Sequence, residues 1–288
     1  MKTSFIAEIS SNHNQDLQRA YEFIDVATEI GCDAVKFQLF KIEELFSPEI
    51  LETSEKHRSR KNWELPLEFI PKLSYKCKEN NIKFGITPFF LDAVAFIKPY
   101  IDFYKIASYE LLWDDLLIAC AQTKKNVMIS SGMAEIDEIF HAVEVLKRNG
   151  CKSPKVFHCN SAYPTSCNDT NLAVIETLRN EVNCDIGWSD HSASDAVLFR
   201  AIHRWDTKFI EFHLDLDGTG FEFASGHCWL PDQIADVIKK VNDGFTSDGS
   251  HIKKPTTSEM GDRDWRADPK DGLRPLKKIR SKWNKDNI

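Results

Sequence analysis

The sequence has few of the patterns that identify a zinc-finger, membrane or nucleic-acid-binding protein. Its eight cysteines are scattered, with no CxxC pair, which argues against a structural zinc site. No apolar run approaches the ~18 residues of a membrane span, and the N-terminal MKTSFIAEIS has no apolar signal core. The formal net charge of −7 argues against nucleic acid as a main partner. We therefore expect a cytoplasmic protein with reduced thiols that binds neither membranes nor nucleic acid.

Several catalytic signatures are also absent. There is no Walker loop, no nucleophile elbow and no HExxH motif, so these three common catalytic frameworks are excluded. The first predicted strand–helix turn, EISSNHNQD, lacks the glycine fingerprint of an open dinucleotide-binding sheet. The candidate chemistry must therefore come from the order of the strands and the residues that they carry.

Apolar and amphipathic segments alternate regularly along the chain. Eight strand-like segments, from SFIAEI at 4–9 to KFIEFH at 208–213, are separated by segments of helical period. Near-continuous apolar strands joined by helices predict a parallel sheet that is covered on both faces. Eight such units in about 240 residues favour an α/β fold of the closed (β/α)₈ TIM-barrel type over a doubly wound open sheet.

The pattern changes after about residue 245. The segment 246–288 is polar, proline-bearing and basic, and it shows no regular period. It is too short to form a core of its own. We therefore predict a catalytic barrel over residues 1–245 and a short irregular C-terminal tail, not a separate domain, over residues 246–288. Trp265 and Trp283 are the predicted anchors of the tail, either to the barrel or to a partner subunit.

Charged residues occur inside three of the most apolar predicted strands. Glu8, Lys36 and Lys105 would each be costly to bury without a partner. Because side chains alternate in direction along a strand, Lys36 and Gln38 share the side opposite to that of Val35. In a barrel that side faces the lumen, and active sites of this fold lie at the C-terminal mouth. The charges are therefore predicted to converge on a ligand; the alternative is lysines that are simply paired in the interior.

Two histidines occur at the ends of the last two predicted strands. His191 comes just after strand seven, and His213 ends strand eight. Neighbouring strand ends lie close enough for two imidazoles to share a divalent ion, which can act as a Lewis acid toward a carbonyl. Glu8 and Asp190 are candidates for the remaining ligand positions. On spacing alone, the alternative of two ordinary, partly buried histidines stays open.

Serines near strand ends complete a candidate anion site. Ammonium groups and short hydroxyl groups are suitable donors to phosphate oxygens. The turn in ISSGMAEIDE leads into a helix N-terminus, which also favours anions. Besides the two lysines, the predicted site contains Ser108, Ser130, Ser131 and Ser161. The residues alone thus predict a barrel enzyme that binds a phosphorylated or carboxylated small molecule beside a histidine-ligated metal.

Eight motifs occur in a fixed order over residues 4–243. They are IAEISSNHNQD, CDAVKFQLFK, GITPFF, YKIASYE, MISSGMAEIDEI, HCNSAYPT, GWSDHS and IEFHLDLD. In this order they resemble the sialic acid synthases, a family that includes the legionaminic and pseudaminic acid synthases. These enzymes condense phosphoenolpyruvate with N-acetylmannosamine or a related amino sugar. The resemblance implies the same metal-dependent reaction here, giving a nonulosonic acid and phosphate.

The resemblance also implies roles for individual residues. Catalytic roles fall on Glu8, Lys36, Lys105 and Glu110. The residues that match the phosphoenolpyruvate site are Lys36, Gln38, Lys105, Ser108, Ser130, Ser161, Tyr163 and Ser189. The implied metal ligands are His191 and His213. Manganese is the expected ion, with magnesium and cobalt as alternatives.

Three departures from the family pattern leave the acceptor sugar open. Members commonly carry a C-terminal antifreeze-like domain that gives an arginine to the partner subunit's sugar site, and this sequence stops before one. The candidate replacements are Arg263, Arg266 and Arg274. The loop after strand eight and the SYE triplet are also unusual, and the implied sugar-binding residues are Glu8, Tyr109, Glu222 and His227.

Two other functions remain as alternatives. The first is condensation of phosphoenolpyruvate with another aldose or with a sugar phosphate. The second is a catalytically silent barrel that serves as a regulatory subunit. In either enzymatic case the expected partners are phosphoenolpyruvate and a sugar acceptor, and the resemblance implies a homodimer.

Overall fold

Eight parallel strands pair in sequence order and close into a barrel, because the eighth also pairs with the first. The computed structural model describes residues 3–282. The strands are β1 Ser4–Ser10, β2 Ala34–Leu39, β3 Lys83–Pro88, β4 Phe103–Ile106, β5 Asn126–Ser130, β6 Lys155–His158, β7 Asp185–Asp190 and β8 Phe209–Leu214. All eight coincide with the predicted segments to within about two residues at each end, which confirms the predicted TIM barrel.

Helices lie between the strands and after the last strand. They are α1 Leu17–Glu29, α2 Ile42–Leu45, α3 Pro48–Thr53, α4 Glu55–Arg58, α5 Phe69–Glu79, α6 Leu91–Ile97, α7 Asp114–Gln122, α8 Ile136–Arg148, α9 Val174–Val182, α10 Asp195–Phe199, α11 Phe221–Ala224, α12 Pro231–Ser247 and α13 Lys277–Arg280. The start of helix α1 is fixed by an N-cap in the sequence: the Asp16 carboxylate accepts hydrogen bonds from the backbone amides of Gln18 and Arg19. Its apolar face buries Phe23 and Ile24. In residues 3–282, no helix combines the length and apolar character needed to cross a membrane.

Two features of the barrel were missed from the sequence. After β2 the chain makes an excursion through α2, α3, α4 and the 3₁₀ turn Ser59–Trp63 before it reaches α5. These short helices carry charged residues and too few apolar ones to show a helical period. After β8, a two-residue strand, β9 Cys228–Trp229, pairs in parallel with its end. Both features lie at the C-terminal mouth of the barrel, where they extend the walls of the site.

The strands place two layers of side chains in the lumen. The lower layer is an apolar plug of Ile6, Ala34, Phe103, Met128, Phe157 and Phe209. Side chains alternate in direction, so the residue two positions further along each strand points to the same side. That upper layer is polar and consists of Glu8, Lys36, Lys105, Ser130, Cys159 and Glu211. The plug closes the lumen from below, and the polar site is built directly on top of it.

Two glycines make room for the plug. A Cβ on Gly85 would lie 2.2 Å from the ring of Phe103, and one on Gly187 would lie 2.7 Å from the ring of Phe157. Larger residues at either glycine would displace an aromatic ring that supports the polar layer. The plug therefore requires glycine on β3 and on β7.

The structure divides the chain into two compact units, Met1–Asp243 and Gly244–Ile288. Within the described part of the second unit, only Asp268 and Pro275 are buried. Asp268 accepts the amides of Lys270 and Lys277 and so ties two turns together. Trp265 is 45% exposed, and Trp283 lies outside the described residues. That this segment is a tail without a core of its own stays a prediction.

Candidate active site

The charged residues of β1 and β2 form an ion pair in the upper layer. Glu8 is 1% exposed and Lys36 is 3% exposed, and the two side chains are in direct contact. Lys36 also donates to the Thr87 hydroxyl over 2.9 Å, and the amide of Ser10 donates to the Glu8 carboxylate over 2.7 Å. Burial lowers the pKa of Lys36, while the attraction of Glu211 opposes that shift. Both charges that the sequence placed in the lumen are therefore present there, and each has polar partners.

Glu211 joins the two lysines into one cluster. Its carboxylate accepts from the Lys105 ammonium over 2.8 Å and from the Ser189 hydroxyl over 3.0 Å, and it lies 4.0 Å from Lys36. Burial alone would raise the pKa of Glu211, but Lys105 and Lys36 outweigh it and lower that pKa to about 2. Glu211 was not predicted from the sequence, although the alternation that revealed Lys36 applies equally to Glu211 and His213 on β8. The cluster lets Lys105 keep donors free for a further anion, since an ammonium group carries three.

Small polar groups crowd around Gly132 beside Lys105. A Cβ on Gly132 would lie 2.1 Å from the hydroxyl of Ser161 and 2.8 Å from that of Ser108. The Gly132 amide donates to the Ser108 hydroxyl over 3.0 Å, while the buried Ser161 hydroxyl has no partner in the described part of the chain. The two hydroxyls and the close backbone approach lie together as the predicted anion cradle requires, and their role in binding an anion stays a prediction.

Of the remaining serines predicted for the cradle, one is misplaced. Ser130 is buried in the upper layer as expected. The Ser131 hydroxyl instead donates to the carbonyl of Phe157 over 3.0 Å. Adjacent strand residues point to opposite sides, so Ser130 and Ser131 could not both face the lumen. Gln38 lies at the end of β2 opposite Thr87 and is half-buried on the lumen side.

The two predicted metal ligands lie next to each other at the mouth. The ring centroids of His191 and His213 are 5.4 Å apart, and the ring of Tyr163 lies 4.2 Å from that of His191. The Nδ1 of His191 donates to the carbonyl of Asn160 over 2.7 Å, which leaves Nε2 with its lone pair. Burial and the neighbouring His213 lower the pKa of His191 to about 3, so the ring is neutral as a ligand must be.

A second group of donors surrounds His213. Its Nδ1 donates to the Glu222 carboxylate over 2.7 Å, and His227 Nε2 lies 3.6 Å from the same carboxylate. One ligand atom from each of His213, Glu222, His227 and Cys228 lies within 4.8 Å of the others. Burial alone would raise the pKa of Glu222, but His213 and His227 hold it well below its usual range. Burial raises the pKa of the Cys228 thiol, which disfavours the thiolate form that binds metals.

Asp190, considered from the sequence as a further ligand, faces away from the histidines. Its carboxylate accepts five hydrogen bonds, from the indoles of Trp188 and Trp229 and from Ser192 and Ala193. A fully satisfied carboxylate has no lone pair left to offer an ion without breaking these bonds. Asp190 therefore fixes the turn that carries His191.

Glu110 and Tyr109 occupy the 3₁₀ turn that follows β4. Burial raises the pKa of Glu110 to about 7, and one of its carboxylate oxygens has no partner in the described residues. Tyr109 is 68% exposed and lies on the surface of the turn. The catalytic role of Glu110 and the sugar-binding role of Tyr109 stay predictions.

Comparisons with known proteins identify the family of the chain. The NeuB family model matches residues 23–253, which is most of the sequence. The chain belongs to the NeuB family. This confirms the family inferred from the eight motifs, that of the phosphoenolpyruvate-dependent synthases of sialic-type acids.

Individual relatives agree with membership of the NeuB family. N,N'-diacetyllegionaminic acid synthase from Campylobacter jejuni is 32% identical over 272 residues, which cover 90% of this chain and 81% of that protein. The uncharacterized protein MJ1065 from Methanocaldococcus jannaschii is 38% identical over 191 residues, and the match covers 66% of this chain but only 56% of that protein. Among solved structures, the sialic acid synthetase from Leptospira borgpetersenii in complex with citrate superposes with a TM-score of 0.79 at 29% identity, covering 91% of this chain and 90% of the other.

The donor set of this NeuB-family chain fits a divalent ion. Neutral imidazole nitrogens are common ligands of divalent first-row metals. The Nδ1 of His227 is buried without a partner in the described residues, and an ion would satisfy such a group. The hydrogen bond from His213 to Glu222 has the form of a carboxylate–histidine–metal relay, in which the carboxylate fixes the tautomer of a ligand.

Glu222→Gln is expected to weaken divalent-metal affinity about 10- to 100-fold without unfolding the protein, because a neutral amide accepts more weakly from His213 Nδ1 and makes that imidazole a less basic ligand. Titration with Mn²⁺ followed by calorimetry measures the effect. Glu259→Gln, an exposed carboxylate that accepts from Thr256 in the second unit, is the matched control and should change nothing. Equal metal affinity in both variants would show that Glu222 does not support the ion.

Proposed function

We propose that this chain condenses phosphoenolpyruvate with an N-acetylmannosamine-like amino sugar to give a nonulosonic acid and inorganic phosphate. The observation that carries the proposal is the register of the barrel, in which Glu8 stands beside Lys36 on one side and beside His213 on the other. An anion cradle and a metal-binding group therefore share one mouth. Manganese is the proposed ion.

The cradle would hold the phosphate of phosphoenolpyruvate. Lys105 and Lys36 supply positive charge, and Ser108, Ser161 and the amide of Gly132 supply neutral donors. Because these groups stand on the rigid apolar plug, they need little rearrangement to bind an anion. Glu211 keeps the two lysines in place and offsets part of their charge.

The proposed metal ligands are His213 and His191, with Glu222 and His227 beside them. A bound divalent ion would supply Lewis-acid polarisation of the aldehyde of the open-chain sugar. The ring of Tyr163 lies 4.2 Å from that of His191 and would pack beside the bound substrates. The resemblance also implies that Glu222 and His227 bind the sugar, and in this proposal they would contact its hydroxyl or acetamido groups.

In the proposed reaction, phosphoenolpyruvate, the sugar aldehyde and water give the nonulosonic acid and phosphate. The methylene carbon of phosphoenolpyruvate forms a bond to the aldehyde carbon, and the aldehyde oxygen takes up a proton. Water adds to the neighbouring carbon, which becomes a hemiketal phosphate, and cleavage of its C–O bond releases phosphate. Glu8 and Lys36 are positioned to accept and return protons, since they are in contact and share the upper layer.

An isotope-labelling experiment in the presence of Mn²⁺ tests the proposed reaction by following the bridging oxygen of phosphoenolpyruvate and the phosphate that is released. Phosphoenolpyruvate labelled with ¹⁸O at the bridging position should give phosphate that retains the label, because the C–O bond is the one that breaks. N-acetylmannosamine should be consumed in equal amount, and omission of the sugar should stop phosphate release. Unlabelled phosphate, or release that does not depend on a sugar, would rule out the proposed reaction and favour a phosphatase or a silent barrel.

A further inference from the structure

The excursion after β2 forms a wall between two loops of the mouth. The side-chain amide of Gln15, in the loop after β1, donates to the carbonyls of Lys61 and Glu64 over 3.1 and 3.0 Å. The Glu64 carboxylate in turn accepts the amide of Ile42 over 2.7 Å, which closes the excursion at its base. The excursion is therefore pinned to the loop that follows the Glu8 strand.

The same excursion reaches the loop that carries the metal-binding group. The ring of Trp63 lies 5.7 Å from that of Phe221, and Phe221 is the residue before Glu222. Glu222 accepts from His213 and from the hydroxyl of Ser11. The turn Ser59–Trp63 thus lies one aromatic contact away from the group that would hold the aldehyde end of the sugar.

Arg60, in this turn, is a cation without a counter-ion. Its guanidinium lies 5.5 Å from the ring centroid of Phe46 and 5.4 Å from that of Trp63, so two aromatic rings hold it. Within residues 3–282 it makes no hydrogen bond and no ion pair, and its Nε is buried without a partner. A guanidinium has five N–H donors, and leaving the buried Nε–H of Arg60 without an acceptor costs free energy.

The cations close to Arg60 in the sequence, in contrast, form ion pairs. Arg58 pairs with Glu55 over 2.6 Å and also donates to the carbonyl of Leu51. Lys61 pairs with Glu43 over 2.8 Å. The local segment therefore supplies carboxylates to the cations on both sides and none to Arg60. A cation that is oriented by rings yet has no acceptor is suited to receive one from a ligand.

We propose that Arg60 binds an anionic group, a phosphate ester or a carboxylate, at the end of the acceptor sugar that is remote from the aldehyde. This inference rests on the proposed function and narrows it to a negatively charged acceptor. The aldehyde end lies at His213, and the chain of contacts through Glu222, Phe221 and Trp63 leads from it to Arg60. Planar bidentate donation to phosphate or carboxylate explains why an arginine stands at this position.

The experiment compares three acceptors: N-acetylmannosamine, its 6-phosphate and the corresponding 6-carboxylate. We expect wild-type kcat/KM to be about 10- to 100-fold higher for at least one charged acceptor than for the neutral sugar, as a charge-assisted hydrogen bond of this kind allows. Arg60→Met, which keeps a stem for the two rings, should remove that preference by raising the acceptor KM. Its KM for phosphoenolpyruvate should not change.

Arg58→Met is the matched control, since it removes a paired arginine from the same segment and should leave the preference intact. Arg60→Lys should restore part of it. If Arg60→Met keeps the wild-type ratio of charged to neutral acceptor, or if wild type prefers the neutral sugar, the proposal is overturned.

If the proposed condensation itself is wrong, the assay gives a different result from the one expected when only the role of Arg60 is wrong. No sugar would then support phosphate release in any variant, and calorimetric binding of the 6-phosphate and of the 6-carboxylate would decide the role of Arg60 instead. Binding of either that is lost in Arg60→Met but kept in Arg58→Met would support an anion site at Arg60. Absence of binding by both in the wild type would exclude it.

Discussion

His213→Ala is expected to lower turnover at least about 10³-fold while the barrel stays folded, since Lewis-acid stabilisation is worth several kcal/mol. His213 is the residue that the other candidate ligands share. It donates to Glu222, its ring lies 4.9 Å from that of His227, and its ring lies 5.4 Å from that of His191. Its removal should therefore weaken Mn²⁺ binding and the reaction together, and both can be measured on the same preparation.

The control for this variant is His141→Ala. His141 lies on α8 and pairs with Asp114 at the surface, so its loss removes an imidazole without touching the mouth. Circular dichroism should show both variants folded. Turnover by His213→Ala at the wild-type rate, with the same dependence on metal, would mean that the ion lies elsewhere or has no role.

Lys105→Met should lower kcat/KM for phosphoenolpyruvate by about 10²-fold or more, because it removes a charge-assisted contact to phosphate from a buried site. The variant also deprives Glu211 of its nearest cation, 2.8 Å away, and the pKa of that carboxyl should rise toward its ordinary range. Steady-state kinetics with varied phosphoenolpyruvate and calorimetric binding of phosphoenolpyruvate measure the loss directly.

Two further variants separate binding from folding. Lys83→Met removes an exposed lysine from the start of β3 and should behave as wild type. If Lys105→Met is unstable because Glu211 is left buried without its partner, Lys105→Met combined with Glu211→Gln should restore the fold but not the affinity. An unchanged KM and kcat in Lys105→Met would refute the anion cradle.

The period of the strands explains why so much of the site could be predicted. Lys36 and Lys105 stand out because a charge inside an apolar strand needs a reason, and a barrel supplies one in its lumen. The same rule identifies Glu211, two residues before His213, once the direction of β8 is known. It also excludes Ser131, whose neighbour Ser130 already faces the lumen.

The segments of the site that could not be predicted are those whose sequences show neither the two-residue period of a strand nor the 3.6-residue period of a helix. The excursion that carries Arg60 and Trp63 is built from short, charged turns, and its position depends on contacts with Gln15 and Phe221 that are remote in sequence. The roles of Glu222 and His227 were reached only through the resemblance, because nothing local shows that they meet His213. Asp190 was misjudged for a similar reason, since its two indole partners come from different strands.

Arg263, Arg266 and Arg274 belong to the second unit, and their role at a sugar site stays a prediction. Arg60 offers a cation from within the barrel unit itself. The acceptor assay therefore distinguishes the two sources, since only an Arg60 variant should change the preference for a charged sugar.

The central claim is that the lysines of the early strands and the imidazoles of the late strands serve one cavity. A crystal structure of the protein soaked with Mn²⁺ and phosphoenolpyruvate tests it most directly. We predict an anomalous manganese peak within coordination distance of His213 Nε2 and, in the same cavity, the phosphate in contact with Lys105 and Ser161. Phosphoenolpyruvate bound away from the lumen, or manganese bound at a place that His213 does not reach, would contradict the account.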